Sequence, residues 1–206
     1  MELGVEPIGT NAHELPMVYA ALSDSDEELA ASPYRVLEDW EATYQGNLLV
    51  MLPDTYGSTR FFERLPAHYA TWRGFRPDSK PPIEGTREGA AWFARNGQDP
   101  LNKISILSDG MDVDTIIEST RALRNTMGTS VGWGTNLTND FEGCGPDSIK
   151  GRLKAISLVC KVTDANGRPA VKLSDNIEKA TGPRDEIERY KRVFGIDGIG
   201  TRMVTV

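Results

Sequence analysis

The chain has 206 residues, of which 39% are hydrophobic and 26% are charged, a balance typical of a globular protein with one core or a core plus an appendage. Its net charge of −7 and the lack of a basic cluster argue against nucleic-acid binding as the main activity. No apolar run reaches membrane-spanning length, and the first residues lack a signal-peptide pattern. Cys144 and Cys160 have neither zinc-site nor disulfide-framework spacing, which favours a reducing, cytoplasmic setting.

The predicted elements begin with an apolar lead-in that reads as a strand and ends at Gly9-Thr10. A polar loop containing His13 follows, and then a short helix over residues 15–22. Residues 23–28 are expected to form a solvated acidic loop. Because Ser is a favoured N-cap and Pro is favoured at the first helical position, Ser32-Pro33 predicts the start of the next helix.

Short apolar runs, each followed by a helical pattern, predict four further strands in the middle of the chain. The strands are expected at residues 48–52, 71–76, 104–107 and 130–133, and the helices between them at 58–65, 84–96 and 113–123. The five strand–helix units allow two architectures, a complete doubly wound sheet or the larger part of an eight-stranded barrel.

The pattern changes near residue 143. Alternating apolar residues at 156–162 and 170–173 flank Asn166-Gly167, a strong turn signal, and predict an antiparallel hairpin. A last helix over 184–194 ends at Gly195. We therefore predict an α/β region over 1–143 and an appended hairpin and helix over 144–206.

Polar side chains follow three of the predicted strands directly. They are Asp54, Asp78 and Asp109, with Thr55, Ser79 and Ser108 beside them. Any one such residue is more often a helix cap or a turn former. Three in register at the carboxyl ends of parallel strands, where ligands bind, predict a site for ribose hydroxyls, phosphate or Mg²⁺.

Three further features belong to the same predicted edge. Gly132-Trp133-Gly134-Thr135-Asn136 offers bare backbone to an anion, although a close-packed turn has the same composition. Arg76 is nearer the strand end than Arg73 and is the better clamp for a carboxylate or phosphate. His13 has a side chain suited to nucleophilic or acid–base work near neutrality, although most lone histidines are structural. His68 has no evident partner and is expected to face solvent.

Taken in order, several of these segments resemble the nicotinate phosphoribosyltransferase family. The matching segments are Gly9-Thr10-Asn11-Ala12-His13-Glu14, Arg76-Pro77-Asp78-Ser79, Ser108-Asp109-Gly110, Gly132-Trp133-Gly134-Thr135 and Lys172-Leu173-Ser174-Asp175 with Lys179. The resemblance implies an incomplete (β/α) barrel of the type II phosphoribosyltransferase kind with the hairpin and helix appended. It also implies joining of nicotinate to phosphoribosyl pyrophosphate with ATP as the energy source, Mg²⁺ as cofactor, and a homodimer when full length.

By the same resemblance, His13 matches the histidine that ATP phosphorylates. Thr10 and Arg76 match nicotinate contacts, Thr135 matches a phosphoribosyl pyrophosphate contact, and Gly134 is expected to bind substrate. The remaining strand-end residues, Asp78, Ser79, Ser108 and Asp109, fall where the family lines the sugar-phosphate site. No metal ligand is assigned.

Two departures from the family pattern stand out. Lys80-Pro81 follows Ser79, and because proline lacks an N–H, a phosphate or metal contact from that loop is in question. The resemblance also covers the second half of the family pattern only, so we expect a fragment whose isolated chain has little or no activity.

The alternatives are a nicotinamide phosphoribosyltransferase-like enzyme, a sugar-phosphate aldolase or isomerase, and a non-catalytic binding module of flavodoxin type. The aldolase or isomerase would need a Schiff-base lysine or a carboxylate base on a strand, and no strand here shows a convincing one. The flavodoxin-type module would be complete at five strands.

Overall fold

Four parallel strands form the central sheet of a computed structural model that describes residues 4, 7–138, 141, 143–149, 152, 153 and 157–196. The strands lie in consecutive order: β1 (Val50–Met51), β2 (Gly74–Phe75), β3 (Ile104–Leu107) and β4 (Gly128–Val131). The helices are α1 (Glu14–Ala21), α2 (Asp26–Thr43), α3 (Ser58–Arg64), α4 (Pro82–Arg95), α5 (Val113–Leu123), α6 (Thr135–Thr138) and α7 (Arg184–Phe194). Among the helices of these residues, none is long and apolar enough to cross a membrane.

The sheet register depends on a very close approach between β2 and β3. Gly74 pairs with Val50 on one side and with Ile104 on the other. A Cβ atom at position 74 would lie 1.8 Å from the carbonyl oxygen of Ile104, so no other residue fits there without moving a strand. The bare backbone at this position therefore sets the separation of the two central strands.

Aromatic side chains from α3 and α4 pack over β1 and β2 and form the main core. Phe75 is fully buried, and its ring meets Phe62 edge-on at a centroid distance of 5.5 Å. The same ring lies against Gly89 of α4, where a Cβ atom would approach it to 2.2 Å. Phe61, Phe62, Trp92 and Tyr190 are buried, whereas Trp40 is only partly buried.

Lys103 lies under the amino ends of the strands and is only 9% exposed. Its Nζ donates to the carbonyls of Ala70 and Trp72 at 2.7 and 2.9 Å and lies 5.3 Å from the ring centroid of Phe93. Burial lowers the pKa of Lys103, and the charge of Arg73 lowers it further. Its bonds show that the ammonium closes this end of the core by satisfying two carbonyls.

The predicted start of the second helix is wrong. The helix begins after Ser25, whose hydroxyl accepts the Glu28 N–H, so half of the expected acidic loop forms its first turn. Negative charge is favourable there because of the helix dipole. Pro33 therefore lies inside α2, and the Ser32 hydroxyl donates to the Leu29 carbonyl that the proline cannot reach.

One predicted strand is absent from the described residues, and three others are shorter or displaced. The strand predicted at 48–52 shrinks to Val50–Met51. Residues 7–10 of the apolar lead-in are not a strand, so the described sheet has four strands and not five. The strand predicted at 71–76 shrinks to Gly74–Phe75 because Ala67–Thr71 forms a 3₁₀ helix. The last strand starts two residues earlier than predicted, where Gly128 donates to the Lys103 carbonyl.

The predicted hairpin is correct in its turn but wrong in its extent. Asn166-Gly167 adopts positive φ values of 54° and 75° between β5 (Asp164–Ala165) and β6 (Arg168–Pro169), which pair antiparallel. Residue 156 lies outside the described residues, and Leu158 and Val159 are exposed. Val171 and Leu173 instead pack against α7, so tertiary burial outweighs the strand pattern.

The fold is mixed α/β with a parallel sheet and a separate antiparallel pair, which confirms the broad class. A flavodoxin-type sheet would reverse its strand order at a switch point, whereas the described strands run in consecutive order. The appended segment is joined to the first region through α7, where Phe194 stacks on Tyr56 at a centroid distance of 4.3 Å.

Candidate active site

His13 precedes the first turn of α1 and is held by side chains from two strand ends. Its Nδ1 lies 2.9 Å from the Thr55 hydroxyl, after β1, and its Nε2 lies 2.9 Å from Asp78 Oδ2, after β2. The ring is 3% exposed. The structure thus brings His13 together with residues from two strand ends, and a bond at each nitrogen fixes the ring plane.

The two carboxyl groups beside His13 have opposite electrostatic environments. Burial would raise the pKa of Asp78, but the His13 hydrogen bond and the Arg76 charge outweigh it and hold that pKa well below its usual range. Burial raises the pKa of Asp54, which His13 offsets only in part. Because an ionised carboxylate only accepts, Nε2 of His13 donates to Asp78, and in a ring with a single proton Nδ1 accepts from the Thr55 hydroxyl.

Neighbouring polar groups fix both carboxylates. Ser79 Oγ donates to Asp54 Oδ2 at 2.6 Å, and Ser108 Oγ donates to Asp78 Oδ1 at 3.2 Å. Arg76 Nη1 lies 3.7 Å from Asp78 Oδ1, and Arg76 Nε is buried with no hydrogen-bond partner among the described atoms. Arg76 thus has a donor that no described side chain or backbone group uses.

The segment after β6 contributes groups that sequence reasoning did not place in the site. Lys172 is 8% exposed, and burial lowers the pKa of its ammonium while Asp54 and Asp78 raise it. Asp175 accepts from Ser58 and donates its backbone N–H to Ser79. Both belong to a segment that matches the family pattern, but only tertiary contacts reveal their neighbours.

A second group of predicted residues surrounds an open cavity of 360 Å³ at the carboxyl ends of β3 and β4. Its walls are Asp109, Gly110, Met111, Gly132, Gly134, Thr135, Asn136 and Ser157. Asp109 is exposed, has a positive φ of 79°, and lies 3.9 Å from Lys179 Nζ. Ser108 joins the cavity to the His13 group, because its Cβ faces Gly132.

Thr10 is the predicted site residue that the described contacts do not connect to the others. Its hydroxyl donates to Asn11, and within the described part of the chain no hydrogen bond joins it to His13 or Arg76. His68 is exposed beside Tyr69, as predicted. Cys144 and Cys160 are exposed and unpaired.

The group around His13 fits a hard cation through its acidic members. His13, Asp54 and Asp78 each offer one ligand atom within 4.8 Å of the others. Mg²⁺ prefers oxygen ligands and is commonly bound by one or two carboxylates plus substrate phosphates. The buried Oδ1 of Asp54 has no hydrogen-bond partner among the described atoms, so this carboxylate has a free oxygen for such an ion.

Comparison with known proteins gives one consistent family. The model of the nicotinate phosphoribosyltransferase (NAPRTase) family matches residues 1–198. A nicotinate phosphoribosyltransferase from Vibrio cholerae superposes with a TM-score of 0.80 at 31% identity, and one from Porphyromonas gingivalis with 0.79 at 27%. Each match covers 94% of this chain but only 45% and 49% of the respective relative. The chain therefore spans about half the length of these solved relatives.

Proposed function

The chain belongs to the nicotinate phosphoribosyltransferase family, and on that premise we propose that it acts in the transfer of a phosphoribosyl group to nicotinate. The reactants are nicotinate, phosphoribosyl pyrophosphate and ATP, and the products are nicotinate mononucleotide, pyrophosphate, ADP and phosphate. The observation on which this proposal rests is the buried imidazole of His13, bonded on both sides at the strand ends that bind ligands in parallel α/β folds.

His13 has the arrangement of an activated nucleophile. The Asp78 carboxylate accepts from Nε2 and so leaves the lone pair on Nδ1, as carboxylate–imidazole pairs do elsewhere. The Nδ1 lone pair then attacks the terminal phosphorus of ATP once the Thr55 hydroxyl turns away, and the bond to ADP breaks. Lys172, buried beside the pair, neutralises the incoming phosphate charge.

The cavity between β3 and β4 suits the phosphorylated sugar. Glycines at 132 and 134 let backbone approach an anion closely, and Thr135 and Asp109 supply a hydroxyl and a carboxylate for the ribose. Arg76 is placed to hold the nicotinate carboxylate. Asp54 and Asp78 would hold Mg²⁺, which would supply neutralisation of the phosphate charge.

The consecutive strand order supports the proposal that the four strands are an arc of a (β/α) barrel, because in a barrel each strand lies beside the next one in sequence. The family resemblance supports a homodimer of the full-length protein. The exposed, unpaired cysteines support a reducing cytoplasmic setting.

The partial reaction with ATP tests the proposal most directly, because it involves only the groups around His13. Incubation with γ-³²P-labelled ATP and Mg²⁺ should label the protein with an acid-labile phosphate, and mass spectrometry should place it on His13. The His13→Asn variant should take up no label. His68→Asn is the matched control, since the chain has two histidines and His68 is exposed. Label on His68, or none on the wild type, would contradict the assignment.

The sugar-phosphate site is tested by binding. Calorimetry with phosphoribosyl pyrophosphate and Mg²⁺ should give one site, and Asp109→Asn should weaken it about tenfold, as expected for loss of a charge-assisted bond. Any product released with nicotinate also present should be nicotinate mononucleotide. Equal affinity of Asp109→Asn and wild type would remove the cavity from the proposal.

A further inference from the structure

Residues 172–176 form a strap that lies across the loop after β1. The amides of Leu173 and Ser174 both donate to the Thr55 carbonyl at 3.0 Å. Ser174 adopts a positive φ of 69°, a conformation that L-residues other than Asn and Asp seldom adopt. The strained turn brings the next residue, Asp175, over the amino end of α3. Because Leu173 and Ser174 both bond to Thr55, whose hydroxyl contacts His13, the strap is held beside His13.

Asp175 is the cap of α3, although it is 117 positions away in sequence. The residue before this helix is Gly57, which has no side chain to cap it. Asp175 Oδ1 accepts the Ser58 N–H at 2.7 Å, and Oδ2 accepts the Ser58 hydroxyl at 2.5 Å. Burial raises the pKa of Asp175, but Lys80, 3.9 Å away, and the Ser58 bonds oppose that rise. A carboxylate at a helix amino end is a favourable arrangement.

The backbone of Asp175 also fixes the direction of the Ser79 hydroxyl. Its N–H donates to Ser79 Oγ at 3.1 Å. A hydroxyl has one hydrogen, and the shorter contact of Ser79 Oγ is 2.6 Å to Asp54 Oδ2, against 3.4 Å to Asp175 Oδ2. The hydrogen therefore points to Asp54, whose Oδ2 lies 3.9 Å from His13 Nε2.

We propose that Asp175 is a positioning residue, which seats the strap on α3 so that Ser79 holds Asp54 beside His13. The inference deepens the proposed function, on which its catalytic consequence rests. Asp175 does not touch the reacting nitrogen. It acts through Ser79. The sequence pattern around Asp175 does not predict this role.

The first test measures His13 reactivity without any substrate. Diethyl pyrocarbonate modifies unprotonated imidazoles, and peptide mass spectrometry separates His13 from the exposed His68, which is an internal control. Asp175→Ala should expose His13 and raise its modification rate about tenfold, as expected for loss of bonds to a charged group. Asp175→Asn keeps the shape of the side chain and the bond from the Ser58 amide. Its His13 modification rate should therefore lie between those of the wild type and Asp175→Ala. Asp99→Asn, which changes an exposed carboxylate that caps a 3₁₀ helix, should match the wild type.

The second test distinguishes positioning from simple capping. If Asp175 acts through Ser79, then Ser79→Ala should raise the His13 modification rate while the cap stays intact. The double variant should be no faster than the faster single one. Equal rates in wild type and Asp175→Ala, or a double variant whose rate ratio is the product of the two single ratios, would overturn the proposal.

The third test reads the catalytic consequence. In the ATP partial reaction, Asp175→Asn should lower the maximal rate of His13 phosphorylation severalfold and leave the KM for ATP unchanged, because it does not contact the nucleotide. A raised KM with an unchanged rate would overturn the positioning role. If the wild type takes up no phosphate, the proposed function fails, and the modification rates still decide whether Asp175 positions Asp54.

Discussion

Replacing Asp78 by asparagine removes the charge from the bond that orients His13. The bond is 2.9 Å long, and the Asp78 side chain is 25% exposed. A charge-assisted hydrogen bond contributes about 1.5–3 kcal/mol, and partial exposure places this one near the middle of that range. A loss of about 2 kcal/mol in the transition state corresponds to a roughly 30-fold slower reaction. We therefore expect Asp78→Asn to phosphorylate His13 about 30 times more slowly than the wild type.

The assay is a single-turnover measurement with γ-labelled ATP, quenched in alkali to preserve phosphohistidine. Asp99→Asn again provides the control, because it neutralises an exposed carboxylate at the amino ends of the strands and should react at the wild-type rate. Circular dichroism should show a cooperative unfolding transition for both variants. A rate for Asp78→Asn within about threefold of the wild type would refute the conclusion that this carboxylate activates the ring. A threefold change corresponds to less free energy than one charge-assisted hydrogen bond contributes.

Three further predictions concern stability. Lys103→Met should lower the free energy of unfolding by about 3 kcal/mol because two buried carbonyls lose their donor. Calorimetry should show a fall of roughly 6–12 °C in Tm. The control Arg73→Met changes an exposed residue and should lower the free energy of unfolding by less than about 1 kcal/mol. Gly89→Ala should cost about 2 kcal/mol in urea unfolding despite better helix propensity, since its Cβ would lie 2.2 Å from the Phe75 ring, and a gain in stability would contradict that contact. Because the pKa of Asp78 is depressed in the folded state, its carboxylate stabilises the fold above the unfolded-state pKa of about 3.9, and this stabilisation declines as the pH falls below that value. The difference in free energy of unfolding between wild type and Asp78→Asn should therefore shrink between pH 6 and pH 3. A constant difference would show that the protonation of Asp78 is not coupled to folding.

Local patterns predicted the strand–helix units because burial on both faces leaves a clear apolar run, as at residues 48–52. They failed where one local rule competed with another. Ser32-Pro33 has the chemistry of a helix start, yet the earlier Ser25 caps the helix, and Ser32 satisfies the carbonyl that Pro33 leaves free. A local rule cannot weigh a cap seven residues upstream against its own signal.

The site was predictable as a set of strand-end residues but not as a set of contacts. Asp78, Ser79 and Ser108 meet at neighbouring strand ends as parallel topology requires, whereas His13 reaches Asp78 from a segment that is not a strand. Which nitrogen faces which partner depends on where the tertiary fold puts His13 relative to the ends of β1 and β2. Asp175 was beyond prediction for the same reason, because its partner Ser58 is 117 residues away and no periodicity links the two.

The missing side chain at Gly74 has a consequence for engineering. Phe75 ends β2 three positions before Asp78, and Ile104 begins β3 four positions before Ser108. The separation of β2 and β3 at Gly74 therefore determines whether the Ser108 hydroxyl reaches Asp78. Any methyl group at 74 would spread the strands at their start and uncouple the two polar side chains at the far edge. Libraries that aim to change substrate preference should keep position 74 as glycine.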